Sequence, residues 1–283
     1  MIRFSTMVVA GVAILASAAS AHAQNWTGFY VAGSVGAGFQ KQKAGETVRF
    51  DTDLNGTFVD IVRTAAGVDA FSPGFCGGLA VNSTAAAGCG SDEGGFDFGG
   101  RLGYDRQVGS LVLGGLFEMS RPDITDSATA FSTTPAFYSF TREVEYVAAF
   151  RGRAGFGNSR VLVYGTGGAA WASVDQQFTT SNTVNTFVRS SESSGDDDVA
   201  GTSQAAWGYQ AGGGVEFRIG ARWSVTGEYL FTSIDDRESS AVRSQGPAPA
   251  TNPFIRVNPA GTDLQRSEKF DFQNVKFGLS YRF

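Results

Sequence analysis

The final residues of the chain, Val275-Lys276-Phe277-Gly278-Leu279-Ser280-Tyr281-Arg282-Phe283, alternate strictly between large apolar side chains and small or polar ones. A period of two is typical of a β-strand with one apolar and one polar face. Here the apolar face continues to the terminal Phe283. Such a face packs against the core of a soluble sandwich or contacts lipid in a membrane barrel. The rest of the sequence must decide between these two environments.

The first 23 residues have the features of a secretory signal peptide. Arg3 supplies a positive charge, residues 7–19 are apolar, and Ala21-His22-Ala23 forms an A-x-A cleavage site. The apolar run is shorter than the ~20 residues of a spanning helix, and an uncleaved anchor helix is the alternative interpretation. We expect cleavage after Ala23, which leaves residues 24–283 as a single outer-membrane β-barrel domain.

Composition favours β structure and argues against several function classes. The chain has 38 Gly and 24 Phe in 283 residues, which suits strands with close backbone contact. Its formal charge of -5 becomes -6 when Arg3 (+1) is removed, and no basic patch predicts a nucleic-acid partner. The single histidine is His22, so the mature chain lacks the usual base of a hydrolytic site. We expect neither a catalytic site nor a cofactor.

Cys76 and Cys89 lie in one stretch rich in Gly and Ala. Export to an oxidising compartment favours a disulfide between them, and two free thiols are the alternative. A metal site is not expected, because the mature chain offers no histidine and no further cysteine.

Eight segments alternate with period two and predict eight strands, at residues 28–40, 96–106, 111–119, 142–156, 161–174, 205–218, 223–234 and 271–283. The face assignment of 161–174 stays open, because its glycines and alanines leave little contrast between the two sides.

The connections between these segments alternate strictly in length. Three are short, at residues 107–110, 157–160 and 219–222, and four are long, at 41–95, 120–141, 175–204 and 235–270. Short turns at one end and long loops at the other are typical of a transmembrane barrel. We therefore predict an all-β fold, an eight-stranded antiparallel transmembrane β-barrel with four long external loops and three short periplasmic turns. The long loops are polar, so we expect them to be solvated.

Aromatic residues flank the predicted lipid-facing band in two girdles. The turn-side girdle comprises Trp26, Phe29, Tyr104, Phe217, Trp223, Tyr281 and Phe283, and the loop-side girdle comprises Phe39, Phe96, Tyr146, Trp171, Trp207 and Phe231.

The opposite face carries charges of both signs in near balance. Side chains fill the interior of an eight-stranded barrel, and buried charges are costly unless they are paired. We therefore predict a lumen charge network formed by Asp97, Arg101, Asp105, Glu118, Glu143, Glu145, Arg151, Arg153, Glu216, Arg218, Glu228, Lys276 and Arg282. A structural plug and an ion path are the two interpretations of this network.

Two charged features of the long loops also have two interpretations each. Asp196-Asp197-Asp198 either binds divalent cations or forms a solvated acidic loop. The arginines of the last loop either contact lipopolysaccharide phosphates or are solvated at the rim; they are Arg237, Arg243, Arg256 and Arg266.

Three stretches together resemble a known family. They are Asn25-Trp26-Thr27-Gly28-Phe29-Tyr30-Val31-Ala32-Gly33, then Tyr164-Gly165-Thr166-Gly167-Gly168-Ala169-Ala170-Trp171, and the closing residues 275–283. The chain resembles the small outer-membrane "porin family" barrels of alphaproteobacteria, which are eight-stranded barrels of the opacity and OmpA type. The resemblance covers the mature chain in topology and about three strands in specific motif.

The resemblance implies an integral protein of the Gram-negative cell outer membrane, in contact with lipid and lipopolysaccharide. It implies delivery by periplasmic chaperones and insertion by the barrel-assembly machinery, with Phe277, Leu279, Tyr281 and Phe283 as the recognition signal. Members of the family are surface antigens that stabilise the envelope, and some bind host molecules or haem, which implies a host or surface ligand on the loops.

Three functions follow as hypotheses. The first is a non-enzymatic barrel with a role in envelope integrity and at the cell surface. The alternative is a narrow porin-like channel for passive diffusion of small solutes. The third, a lipid-modifying enzyme, lacks the histidine that such chemistry commonly uses.

Overall fold

The computed structural model describes residues 25–40, 46–190, 202–237 and 241–283. The predicted signal peptide and the acidic run at 196–198 lie outside the described residues. A 3-10 turn occupies Ala85–Ala87, and within the described residues no helix is long and apolar enough to cross a membrane. The strands are β1 (Gly28–Phe39), β2 (Val48–Asp51), β3 (Gly74–Gly77), β4 (Glu93–Val108), β5 (Leu111–Ser132), β6 (Ala136–Gly157), β7 (Val161–Thr180), β8 (Thr186–Arg189), β9 (Thr202–Arg218), β10 (Trp223–Asp235), β11 (Val242–Gln245), β12 (Thr262–Arg266) and β13 (Phe270–Arg282).

A ring of antiparallel pairings forms the main sheet. In the described part of the chain its order is β1–β4–β5–β6–β7–β9–β10–β13, and β13 pairs again with β1, where Val35 lies opposite Phe277. Closure pairs the backbone groups of each strand with its neighbours, as hydrocarbon surroundings require. The prediction of an all-β barrel fold is confirmed.

Side chains on the ring alternate between the lumen and the outer wall. On β13, Lys276 and Ser280 are buried inside, whereas Phe277 and Leu279 are 65% and 48% exposed on the outside. Outward-facing apolar residues of this kind recur on the neighbouring strands. The apolar stripes therefore form one continuous band around the barrel, as the period-two pattern predicted.

The structure settles the face of residues 161–174. Leu162, Tyr164 and Ala170 are buried inside the ring, and Val163 is outside. Gly168 faces inward. A Cβ atom at this position would lie 1.9 Å from the Phe150 carbonyl oxygen, far closer than van der Waals contact allows. Glycine is therefore required there by the close approach of β6.

A β-bulge in β6 inverts the expected faces of its first residues. Val144 pairs with Val174 and Tyr146 with Ser173, so that the register shifts by one residue at Glu145. One extra residue moves every preceding side chain to the other face. Glu143 and Glu145 are exposed on the outside, and the prediction that they face the lumen is wrong. The Ser173 hydroxyl donates a hydrogen bond to the Glu145 carboxylate at 2.7 Å.

The predicted loop at 120–141 is largely a continuation of two strands. β5 and β6 contain 22 residues each and are joined by residues 133–135. A strand of this length measures roughly 70 Å at ~3.3 Å per residue, whereas crossing a bilayer takes ~9–11 residues. About half of each strand therefore projects beyond the bilayer-sized part of the ring, and β7 with 20 residues does so as well.

The remaining connections fold against these projecting strands. β2, β12, β11 and β8 form a second, four-stranded sheet. We use the name cap for the following parts together: this second sheet, β3, the segments that connect them, and the projecting halves of β5, β6 and β7. Its core contains Val48, Phe50, Val62, Ala70, Phe71, Ala130, Ala136, Tyr138, Phe140, Phe178, Phe187, Val242, Phe254 and Leu264. The expectation of solvated loops is wrong for these core residues, which form a packed layer, whereas stretches such as residues 65–68 are exposed.

A disulfide joins Cys76 to Cys89 within the cap. Cys76 lies on β3, which pairs with β5 so that Cys76 is opposite Thr129. Cys89 forms an isolated bridge with Ala80. The disulfide therefore links the segment that follows β3 to β3 itself, and β3 is in turn paired with β5 of the projecting hairpin.

Truncating the cap core should unfold the cap selectively. Leu264 is fully buried, so Leu264→Ala should cost about 2–5 kcal/mol. The exposed Val257 provides the control, because Val257→Ala should cost less than about 0.5 kcal/mol. Limited proteolysis in detergent should cleave the cap of Leu264→Ala faster while the barrel keeps its heat-dependent gel mobility. Equal cleavage of both variants would contradict a packed cap.

Candidate functional site

The lumen contains a network of fully buried ion pairs. Glu228 accepts two hydrogen bonds from Arg101, at 2.9 and 3.0 Å, and one from Arg151 at 3.0 Å. Glu118 lies 2.7 Å from both guanidinium groups. The Tyr164 hydroxyl donates to Glu228 at 2.5 Å. Each carboxylate is thus held between two arginines, as buried charges require.

Lys276 completes this group on the side of the cap. Its Nζ lies 2.8 Å from Glu118 and 2.9 Å from Asp97, and the Asn274 amide donates to Asp97 at 2.6 Å. Three cations therefore meet three carboxylates, and the group is neutral; its members are Arg101, Arg151, Lys276, Asp97, Glu118 and Glu228.

A second neutral group lies nearer the short turns. Arg153 pairs with Asp105 and, at 2.9 Å, with Glu216. Arg282 lies 2.8 Å from Asp105 and 3.7 Å from Glu216. The Arg153 guanidinium also stacks 4.8 Å from the ring centre of Tyr164, which links this group to the first.

Trp26 closes the turn end of the lumen. Its side chain is fully buried, and its indole N–H donates to the Asn158 carbonyl oxygen at 2.8 Å. The prediction that Trp26 belongs to the girdle is therefore wrong. Arg218 is only half-buried: its guanidinium lies 4.3 Å from the Trp26 ring and donates to the Asn25 carbonyl. Among the described residues Arg218 has no carboxylate partner, so it lies outside the predicted network.

A mainly apolar layer crosses the lumen between the network and the cap; it also encloses a buried polar pair, in which the Gln210 amide donates to the Thr232 hydroxyl at 3.0 Å. On β13 the inward residues run from Lys276 through Phe272 and Phe270, and on β6 they run from Arg151 through Val147 to Arg142. The same order of charged, apolar and charged residues recurs on β5 and β10. The layer comprises Ile124, Val144, Val147, Ala149, Ala170, Ala172, Val174, Ala206, Ile234, Phe270 and Phe272.

A third ionic cluster lies above this layer, at the base of the cap. Arg142 contacts Asp126 at 2.6 Å and Asp236 at 2.7 Å. Arg266 contacts Asp126 at 2.7 Å, pairs with Glu46, and donates to the Phe140 carbonyl. Arg266 is fully buried, so neither rim interpretation holds for it. The cluster joins the second sheet to the projecting strands.

The other three arginines of the last connection are placed nearer the surface. Arg237 forms an exposed pair with Asp235 at 2.8 Å, and Arg243 forms a partly buried pair with Asp263 at 2.7 Å. Arg256 donates to the Thr64 carbonyl oxygen at 2.5 Å.

Two groups of carboxylates have oxygens within 4.8 Å of one another and could hold a metal ion. They are Glu46 with Asp92 and Asp126, and Asp51 with Asp53 and Asp60. In the first group Arg142 and Arg266 already supply the positive charge. In the second, the backbone N–H groups of residues 52, 55 and 56 donate to the carboxylates. These contacts account for both groups without a ligand.

In the first of these groups, which lies at the base of the cap, the pKa values of two carboxyl groups are raised. Burial and the neighbouring Asp126 carboxylate raise the pKa of Asp92 from 3.8 to about 6. Burial also raises the pKa of Glu46, against the opposing effect of Arg266. A raised pKa means that Asp92 favours the fold when protonated, a contribution that is lost as the pH rises from 3.8 to about 6.

Sequence reasoning missed the third ionic cluster. Arg142 precedes the bulge in β6, and the other members belong to segments that were predicted to be loops; they are Glu46, Asp126, Asp236 and Arg266. For the lumen, the structure brings together the predicted residues Asp97, Arg101, Asp105, Glu118, Arg151, Arg153, Glu216, Glu228, Lys276 and Arg282. It leaves out Glu143, Glu145 and Arg218. The assembly residues Phe277, Leu279, Tyr281 and Phe283 lie on the outward face of the closing segment.

Comparison with known proteins agrees with this architecture. A family described as outer membrane protein beta-barrel domain matches residues 7–283. The chain belongs to this family. It is therefore an outer-membrane protein, and the resemblance to small outer-membrane barrels is confirmed.

Two relatives of this barrel-domain protein are outer-membrane immunogenic proteins of 31 kDa, from Brucella melitensis biotype 1 and Brucella suis biovar 1. Each is 27% identical over 192 residues, which cover 67% of this chain and 67% of the relative. The crystal structure of the outer membrane protein OprG from Pseudomonas aeruginosa covers 93% of this chain and 100% of its own, at 10% identity and a TM-score of 0.42.

Neutralising one lumen carboxylate should destabilise the barrel strongly. Glu228→Gln leaves Arg101 and Arg151 short of a negative charge, and breaking a buried pair costs about 3–5 kcal/mol. Glu143→Gln is the matched control: the same change on an exposed side chain should cost less than about 1 kcal/mol. Urea unfolding in lipid vesicles, followed by tryptophan fluorescence, measures both. Equal losses of unfolding free energy in the two variants would contradict the predicted difference between a buried, paired carboxylate and an exposed one.

Proposed function

We propose that the protein is an eight-stranded outer-membrane barrel with a closed lumen, which acts in envelope integrity and as a surface antigen and has no catalytic role. The apolar layer between the lumen network and the cap carries this proposal. The narrow porin-like channel remains the alternative that the experiment below is designed to detect.

In the proposed orientation the three short turns lie in the periplasm and the cap lies outside the cell. The turns are residues 109–110, 158–160 and 219–222, between the strands of three hairpins. Removal of residues 1–23 would leave residues 24–283 as the barrel domain. Both ends of that domain then lie on the periplasmic side, next to the buried Trp26.

Three features support a closed lumen. An ion would have to leave water and pass the side chains of Phe270 and Phe272, and isolated charges are strongly disfavoured in apolar surroundings. The two ionic groups below this layer are each neutral, so neither offers a surplus charge to a permeating ion. Trp26 lies across the opposite end.

Among the described residues, the lumen offers no imidazole as a base for hydrolytic chemistry. The single histidine, His22, precedes the predicted cleavage site. Among the described residues, the lumen carboxylates Asp97, Asp105, Glu118, Glu216 and Glu228 each pair with at least one cation. A carboxylate held in this way is a poor general base.

The cap supports a surface role. It presents a folded, disulfide-bonded surface built from every connection at that end of the barrel. The Brucella relatives carry the word immunogenic in their names. We propose outer-membrane lipid and lipopolysaccharide as partners of the apolar wall and its girdles, with a host or surface ligand on the cap.

Reconstitution into planar lipid bilayers tests the closed lumen. We expect no stable single-channel steps from the purified protein, because the apolar layer and Trp26 exclude a continuous water path. A large porin reconstituted in the same bilayers confirms that conductance is detectable. Reproducible steps from this protein would overturn the proposal and establish the channel.

The closing strand supports a second proposal, that the barrel-assembly machinery recognises it after delivery by periplasmic chaperones. Its outward residues Phe277, Leu279, Tyr281 and Phe283 end at the terminus of the chain, where the Phe283 N–H bonds to the Phe29 carbonyl at 3.0 Å.

Replacing the terminal aromatic should therefore impair assembly. Phe283→Ser should reduce the heat-modifiable protein in isolated outer membranes to a small fraction of the wild-type amount. Phe96→Ser removes an aromatic of the other girdle that is more exposed than Phe283, at 82% against 45%, and should assemble normally. Normal levels of Phe283→Ser would count against the recognition role.

A further inference from the structure

A cavity of about 220 Å³ opens at the end of the cap farthest from the short turns. One wall is the turn between β5 and β6, with Thr133 and Thr134. The other walls come from residues 181–185, 252–254 and 70–71. These belong to the three other connections at this end of the barrel. The cavity is therefore the place where all four connections converge.

The floor of the cavity is aromatic and rigid. Tyr138 packs 5.3 Å from Phe71 and 5.5 Å from Phe254, measured between ring centres, in edge-to-face contacts. These three rings belong to the cap core, and each is nearly buried. The floor therefore keeps its shape whether or not a ligand is present.

One wall is held by three asparagine side chains that bond to one another. The Asn182 amide donates to the Tyr138 hydroxyl at 3.0 Å and to the Asn185 oxygen at 3.1 Å. Asn252 donates to the same Asn185 oxygen at 3.1 Å. The opposite wall adds the exposed hydroxyls of Thr133 and Thr134. Backbone groups also bond to the Asn182 and Asn185 side chains, so the polar groups offered to a ligand are chiefly the Asn252 amide and the threonine hydroxyls. The cavity thus combines a fixed apolar floor with neutral donors and acceptors at its edge.

Charge is absent from this lining. Within the described part of the chain, every residue around the cavity is uncharged, although ion pairs fill the lumen and the base of the cap. A phosphate, sulfate or carboxylate would lose its hydration there without gaining a cation. The volume corresponds to about seven water molecules at ~30 Å³ each and lies below the ~300–1,000 Å³ of pockets for drug-sized ligands.

We propose that this cavity binds one neutral sugar ring of a glycan. A pyranose has an apolar C–H face for the aromatic floor and a rim of hydroxyls for the amide and threonine groups. Its size suits the volume, and it carries no charge. This inference names the chemical class of the surface ligand proposed above for the cap and rests on that part of the proposed function, but it is independent of whether the lumen conducts.

Saturation-transfer NMR on the full-length mature protein in lipid nanodiscs tests the proposal. The probes are the methyl glycosides of glucose, galactose, mannose and N-acetylglucosamine, with glucuronic acid as the charged counterpart. We expect at least one neutral glycoside to bind with a Kd on the order of 1 mM, and glucuronic acid to bind at least about tenfold more weakly. Failure of all four neutral probes, or equal binding of glucuronic acid, would overturn the proposal.

Tryptophan substitutions at the rim locate the binding. Thr183→Trp and Thr133→Trp obstruct the cavity from different walls and should each weaken binding at least about tenfold. Thr57 is also exposed but lies away from the cavity, and Thr57→Trp should bind as the wild type does. Protease resistance of the cap verifies that each variant is folded. Binding retained in folded variants of both rim positions would exclude this cavity as the site.

Discussion

Charges enclosed by a lipid-facing wall must find their counter-charges inside it, and the barrel is built around that requirement. Each lumen carboxylate meets a guanidinium or ammonium group from another strand, so the pairs connect strands that are distant in sequence. Glu228 on β10, for example, is bonded to Arg101 on β4 and Arg151 on β6. Removing one partner leaves the other buried and uncompensated, which makes the network act as a single unit.

The order of layers along the barrel axis follows from the same requirement. The two lower ionic groups are neutral by themselves, so an apolar layer can lie directly above them. That layer in turn separates them from Arg142 and Arg266, which anchor the cap. The cap is therefore attached through buried contacts with the projecting strands, and it extends the barrel as a second packed unit.

The sequence predicted the barrel well because lipid and lumen impose a strict period of two. The closing strand, the short turns and most lumen charges follow from that period. The faces at Glu143 and Glu145 could not be predicted, because one bulged residue reverses the parity and leaves no mark in composition. The cap was missed because Phe50, Phe187 and Leu264 come from separate polar stretches. No local periodicity in those stretches indicates that their apolar residues share a core. The position of Trp26 was predicted wrongly because an aromatic residue near a turn can either lie in the interfacial girdle or close the end of the lumen, and the sequence pattern is the same for both.

The projecting hairpin has a consequence for electrostatics at the cell surface. Some ten residues of β5 beyond the girdle, at ~3.3 Å each and tilted by about 40°, raise the turn at 133–135 roughly 25 Å above the hydrocarbon. At physiological ionic strength the Debye length is about 8 Å. Because the headgroup region occupies about 6 Å of that height, the tip stands roughly 19 Å, or a little over two screening lengths, away from the anionic headgroups. A molecule arriving there meets the uncharged lining of the cavity at the tip, where salt strongly screens the field of the membrane beneath it.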